Sequence, residues 1–157
     1  MARPRKSDHS KQLLLEAGAR LLTEHGYHGT GIKRVLDEVG VPKGSFYNFF
    51  PSKEAFVADI VYQYGDDVST EFQQAIAGHE QAPALLRLWY SFHNKVRKRE
   101  AAGESCACLL GALSAEIAQA SPLCNQALAD VQRRWTGALE SLVRRARLEG
   151  HIATDAE

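Results

Sequence analysis

The stretch Thr30–Lys53 reads TGIKRVLDEVGVPKGSFYNFFPSK, and its punctuation decides the fold. Thr30 is placed to cap a short helix carrying Ile32, Val35 and Val39 on one face. Gly40 ends that helix, because glycine takes the left-handed backbone that a sharp turn needs. Pro42, with its fixed φ and missing N–H, suits the first turn of a second short helix running to about Phe49. Val35, Val39, Val41 and Phe46 are spaced to hold the two helices together, which leaves a polar, basic face free. On that face Lys43, Ser45, Tyr47 and Asn48 offer donors to phosphates and base edges, while Gly44 permits close approach of the backbone. Such a pair is a helix-turn-helix pattern, in which the second helix enters the major groove of DNA. Thr30 and Lys53 begin the flanking helices, where free amides and the helix dipole favour a phosphate. A helical hairpin whose lysine and tyrosine merely face solvent is the plainer alternative; the coincidence of turn, cap and polar face counts against it.

Outward from this stretch the helical signals continue. Leu14, Ala17 and Leu21 form a stripe in a segment opened by Ser7 or Asp8 and closed by Gly26. Ser52 caps a long helix with Glu54 in its first turn and Phe56, Ile60, Tyr64, Val68, Phe72 and Ile76 every four residues, stopped by Gly78. After Pro83, Leu85, Leu88, Trp89, Phe92 and Val96 mark a fifth helix ending in Arg97-Lys98-Arg99. A sixth is predicted from Glu104 or Ser105 to just before Ser121-Pro122. The seventh carries Cys124, Leu128, Val131, Trp135, Ala138 and Leu142 at packing spacing and stops at Gly150. Sustained polar/apolar alternation and hairpin turns are missing, so the expected fold class is all-α.

The 157 residues, 45% hydrophobic and 24% charged, suit a globular chain of one domain, or of a small domain fused to a modest second one. Net charge is zero, but residues 1–53 carry nine Lys/Arg against five Asp/Glu and the remainder ten against fourteen. A basic first third implies a polyanion partner at that end. No apolar run approaches the length of a membrane span, and polar residues follow the basic Met1–Lys6 where a signal peptide would be apolar; the expected location is the cytoplasm, with no membrane partner. Three cysteines in such a chain argue for free thiols.

The stretch around the turn resembles the TetR-type bacterial transcriptional repressors. Their Thr at the start of the second helix, Ala-Gly-Val turn, Lys-Gly, Tyr-x-x-Phe and Ser-Lys correspond to Thr30, Val39-Gly40-Val41, Lys43-Gly44, Tyr47–Phe50 and Ser52-Lys53. The resemblance implies a three-helix DNA-binding head over residues 1–53 and an antiparallel helical body over 54–157 that binds a ligand and dimerises. It implies a homodimer whose recognition helices enter successive major grooves roughly 34 Å apart on an operator. Thr30, Lys33, Pro42, Lys43, Gly44, Ser45, Tyr47, Asn48 and Lys53 are then the DNA-binding residues.

Further on, GESCACLLGALSAEIAQASPLCNQA (103–127) resembles the NemR-type subgroup, which senses electrophiles and oxidants, with Cys108 in the register of the sensing cysteine. A thiol in the first turn of a helix near Arg97-Lys98-Arg99 is expected to be more acidic and more reactive than a free one, able to add to an enal or quinone or to form a sulfenic acid. Cys106 is the second candidate. A small buried core residue is the competing reading of each cysteine, and the preferred one for Cys124, on the seam of the seventh helix. Trp89, Phe92 and His93, with Tyr62 and Trp135, are candidates to line a ligand pocket, although aromatics at helical spacing are more often core.

Members of the family usually run further and end in two helices that bundle with the partner subunit, helices for which this chain has no counterpart. Either it is a fragment, or the dimer relies on the sixth and seventh helices. Cys106-x-Cys108 with scattered histidines lacks the spacing of a zinc site, and there is no nucleophile elbow, P-loop or dinucleotide fingerprint, so no metal, cofactor or enzymatic activity is expected. The rival functions are a helical interaction module and a thiol-redox protein, neither binding an operator.

Overall fold

A computed structural model describes residues 6–77, 82–103 and 108–153, and every regular element among them is helical. The helices are α1 (Lys6–Gly29), α2 (Ile32–Val39), α3 (Lys43–Phe49), α4 (Lys53–Ile76), α5 (Ala84–Ala101), α6 (Leu109–Ala120) and α7 (Pro122–Leu148). Gly26 interrupts α1 with φ 72°, and Gly40 caps α2 at φ 65°, its N–H donating to the Leu36 carbonyl. Ser52 caps α4 as expected, its Oγ accepting the Ala55 N–H at 3.1 Å. Ser121 does the same for α7, accepting the Cys124 N–H at 3.3 Å, with Pro122 at the first helical position.

Packing divides the chain into two compact units, the first comprising residues 1–64 and 107–129 and the second residues 65–106 and 130–157. Both α4 and α7 contribute to each unit, since a helix this long outruns any one core.

The first unit holds a dense apolar core: Leu14, Leu22, Phe46, Phe50, Phe56, Ile60, Leu109, Leu113 and Ile117 are all fully buried. Gly18 lets α1 approach α4, for a Cβ there would lie 2.5 Å from Phe56 Cζ and 2.6 Å from Ile60 Cδ1. Cys124 is in this core, its Sγ donating to the Glu54 carbonyl at 3.3 Å, and burial pushes its thiol above the ordinary value.

In the second unit the rear of α4 meets α7 at Gly65, where a Cβ would be 2.7 Å from Val131. Trp135 Nε1 donates to both the Gly65 carbonyl and Ser69 Oγ, Arg134 pairs with Asp66, and Lys95 pairs with Glu71. Glu149 accepts the Ala84 N–H at 2.9 Å, which fastens the start of α5 to the end of α7.

Four sequence expectations differ from the structure. Gly31, not Thr30, is the N-cap of α2, and Pro42 is the N-cap of α3, one position before its first turn. The sixth helix begins at Leu109, so Cys108 is its N-cap and not part of a first turn. Helix α5 forms as expected but turns part of its apolar stripe outward: Trp89 and Phe92 are 59% and 70% exposed and Leu85, Leu88 and Val96 half-buried, whereas Ala84, Arg87 and Ser91 are buried. Periodicity determines which residues share a face, not what lies opposite it.

Candidate nucleic-acid interface

Helix α3 has seven residues, too few to hold together alone, and depends on its inner face. Phe46 packs against Phe50 and Phe56 with ring centroids 5.3 and 5.1 Å away, and Phe50 meets Phe56 at 4.8 Å. With that face committed to the aromatic cluster, helical periodicity turns Lys43, Gly44, Tyr47 and Asn48 onto one continuous outer arc. All four are exposed, Tyr47 by 47%, while Ser45 is half-buried at the arc's edge. Pro42 is exposed just before the arc, and Lys33 and Arg34 are exposed on α2.

Gly44 is informative because packing does not require it. Nothing lies within 4 Å of where its Cβ would be, so the bare backbone is a feature of the outer surface. Gly40, by contrast, is needed for its left-handed φ.

The two flanking candidates are placed differently from expectation. Thr30 is 2% exposed, and its hydroxyl donates inward to the Leu21 carbonyl at 3.0 Å. That bond ties the segment before α2 to α1 and removes the hydroxyl from the phosphate-facing set. Lys53 is half-buried: its Nζ donates to the Tyr27 carbonyl at 2.6 Å and lies 4.0 Å from the centre of the Tyr27 ring. Burial lowers its ammonium below the ordinary lysine range, opposed by the negative charge of Glu54. Tyr27 itself is buried, its hydroxyl donating to Glu54 at 3.4 Å; burial first and the Glu54 charge second push its phenol up to about 12.

Two supports of the head were not legible in the sequence. Glu116, on α6, accepts the His28 N–H at 2.8 Å and lies against Gly26, where any Cβ would collide with its Oε1 at 2.1 Å. A carboxylate thus satisfies the chain as it leaves α1, through a contact 88 positions away that no local pattern signals. Arg34 bonds His25 Nε2 at 2.7 Å and so links α2 to α1.

Of the other candidates, Cys108 is exposed and its Sγ accepts the Tyr64 hydroxyl at 3.7 Å. Cys106 lies outside the described residues. Trp89 and His93 stack at 4.9 Å on the exposed side of α5, and Phe92 is also exposed, so these three line no enclosed pocket among the described residues. No group of three or more His, Cys, Asp or Glu among the described residues could hold a metal ion, and no helix is long and apolar enough to cross a membrane.

Comparison with known proteins agrees with this geometry. Residues 14–60 match the family described as bacterial regulatory proteins, tetR family, and residues 82–157 match the tetracyclin repressor-like C-terminal domain. The chain is 27% identical to the HTH-type transcriptional repressor DhaR of Mycobacterium sp. (strain GP1), over 92% of this chain and 71% of that protein. It is 32% identical to the transcriptional regulator AcuR of Cereibacter sphaeroides, over 92% of this chain and 65% of AcuR, so it spans only about two thirds of these relatives. The reduced form of Escherichia coli NemR superposes with a TM-score of 0.81 at 26% identity, over 95% of this chain and 76% of that one.

Proposed function

The chain belongs to the tetR family of bacterial regulatory proteins, and from that premise we propose that it is a transcriptional repressor whose residues 1–53 bind an operator and whose residues 54–157 sense the signal that releases it. The observation that carries the reading is the outer arc of α3, where Lys43, Gly44, Tyr47 and Asn48 stand exposed and the glycine serves no packing need. Asn48 suits base edges, whereas Lys33, Lys43 and Tyr47 suit phosphates. Lys53 acts chiefly as a strut between α4 and Tyr27. Two copies of the chain, acting as a homodimer in the cytoplasm, would set a pair of α3 helices into successive major grooves.

Release follows from ligand entry into the body or from modification of Cys108. That thiol is exposed, stands at the N-cap of α6 and has a tyrosine hydroxyl beside it, and the likeness to NemR supports a sensing role. As a thiolate it adds to the β-carbon of an enal, forming a C–S bond while a proton goes to the α-carbon. A shift carried along α4 alters the fit of each head, and a coupling of about 1–3 kcal/mol changes DNA affinity roughly five- to 150-fold.

The test is selection of bound fragments from sheared genomic DNA by the purified chain, followed by footprinting and salt titration. A discrete footprint whose affinity falls steeply with salt supports the repressor; capture of protein but no DNA favours an interaction module instead. Cys108→Ser should bind the same footprint and resist release by an enal. Unchanged release would take Cys108 out of the mechanism.

A further inference from the structure

Arg87 lies on the inward face of α5, with Ala84 one turn before it and Ser91 one turn after. Only 5% of its surface is exposed, and its Nε and Nη2 are fully covered without an acceptor among the described residues. A guanidinium does not give up its proton at any ordinary pH, so burial leaves this edge of a permanent positive charge without an acceptor among the described residues. Folded proteins tolerate this arrangement only when something else supplies the counter-charge. Within the same unit Asp66 pairs with Arg134, Glu71 with Lys95, Asp130 with Arg133, and Glu149 with Arg145 and the Ala84 N–H.

The two uncompensated nitrogens specify the chemistry. Nε and Nη2 are adjacent on one edge of the guanidinium and their N–H bonds run parallel, which matches both oxygens of a single carboxylate. We propose that this edge of Arg87 seats the carboxylate of a small organic acid, and that such a monoanion is the ligand of the helical body. The assignment rests on reading that body as the ligand-sensing part. A phosphate monoester would bring nearly two negative charges, and the next described cation along α5 that is not exposed, Lys95, is already committed to Glu71. Because the nitrogens are covered, the acid enters by displacing the packing beside α5, so occupancy is linked to the position of that helix.

The test is a titration of the purified chain, without DNA and at constant ionic strength, with benzoate and hexanoate and with the corresponding amides. Melting temperature and heat of binding are both read. The acids should raise the melting temperature and bind roughly tenfold or more tightly than the amides, which have the same shape but no charge. Arg87→Met, which keeps the length and apolar volume, should erase that preference, and without ligand it should melt no lower than the parent, because the unpaired charge has gone. Equal binding of acids and amides, binding of neither, or a preference that persists in Arg87→Met overturns the proposal. Should the methionine variant not fold, Arg87→Lys keeps the charge and lacks the paired edge, and the parent's acid–amide ratio must then fall in that variant. Operator capture is measured separately on the same preparations, so failure of the repressor reading and failure of the acid site give different results.

Discussion

Gly44 and Gly40 stand four positions apart, and their roles differ. Gly40 is demanded by its left-handed φ of 65°, a requirement visible in the sequence as a helix stop before Val41-Pro42. Gly44 is demanded by nothing inside the protein, so Gly44→Ala should stabilise α3 by about 0.5–1 kcal/mol through helix propensity. The same change should weaken operator binding by roughly tenfold, because a methyl group then stands between backbone and duplex; thermal melts and DNA titrations on one preparation check both. Lys43→Ala should lower the salt slope by about one unit at every sequence tested. Tyr27 gives a pH prediction. It is an acid whose folded value, about 12, lies above the ordinary 10.0, so the folded state holds the phenol proton more tightly than the unfolded chain. Its contribution is complete below pH 10 and is lost as pH rises towards 12, by at most about 2–3 kcal/mol. Lys53, lowered by burial, acts with the opposite sign but is present in both proteins, so Tyr27→Phe should show the shallower alkaline decline in denaturant melts from pH 9 to 12.

At the scale of elements, helices were legible in the sequence and their surroundings were not. Caps, breakers and stripes located all seven to within a few residues, because those signals are local. Thr30 looked like a cap and proved to be a buried tie to Leu21, since its hydroxyl could reach either the amides ahead of it or the carbonyl behind, and only packing chose. Helix α5 has a clear apolar stripe, yet buries Arg87 and Ser91 and exposes Trp89. Two contacts between elements can be tested. Gly18→Leu should cost about 2–3 kcal/mol in denaturant unfolding, because the added atoms collide with Phe56 and Ile60 where α1 meets α4. Glu116→Ala should cost about 1 kcal/mol and leave the His28 amide exchanging faster, since the α6 carboxylate that accepts it is gone.

For the whole molecule, the basic first third and the acidic remainder predict how DNA binding responds to salt. With Lys33, Arg34 and Lys43 exposed on each head, the slope of log K against log salt should be about −2.7 for one head and about −5.4 for two. The measured slope therefore reports how many heads are engaged, and sedimentation of the same complex checks the count independently. The order of helices, the turn between α2 and α3 and the polar arc of α3 were determined by the sequence alone, because each depends on residues within a turn or two of one another. Long-range packing alone settled that Thr30 and Lys53 brace the head, that Glu116 supports the end of α1, and that Arg87 Nε and Nη2 are buried without an acceptor among the described residues. Those outcomes depend on which atoms meet across long separations, and a burial cost or a counter-charge exists only once the chain has brought them together.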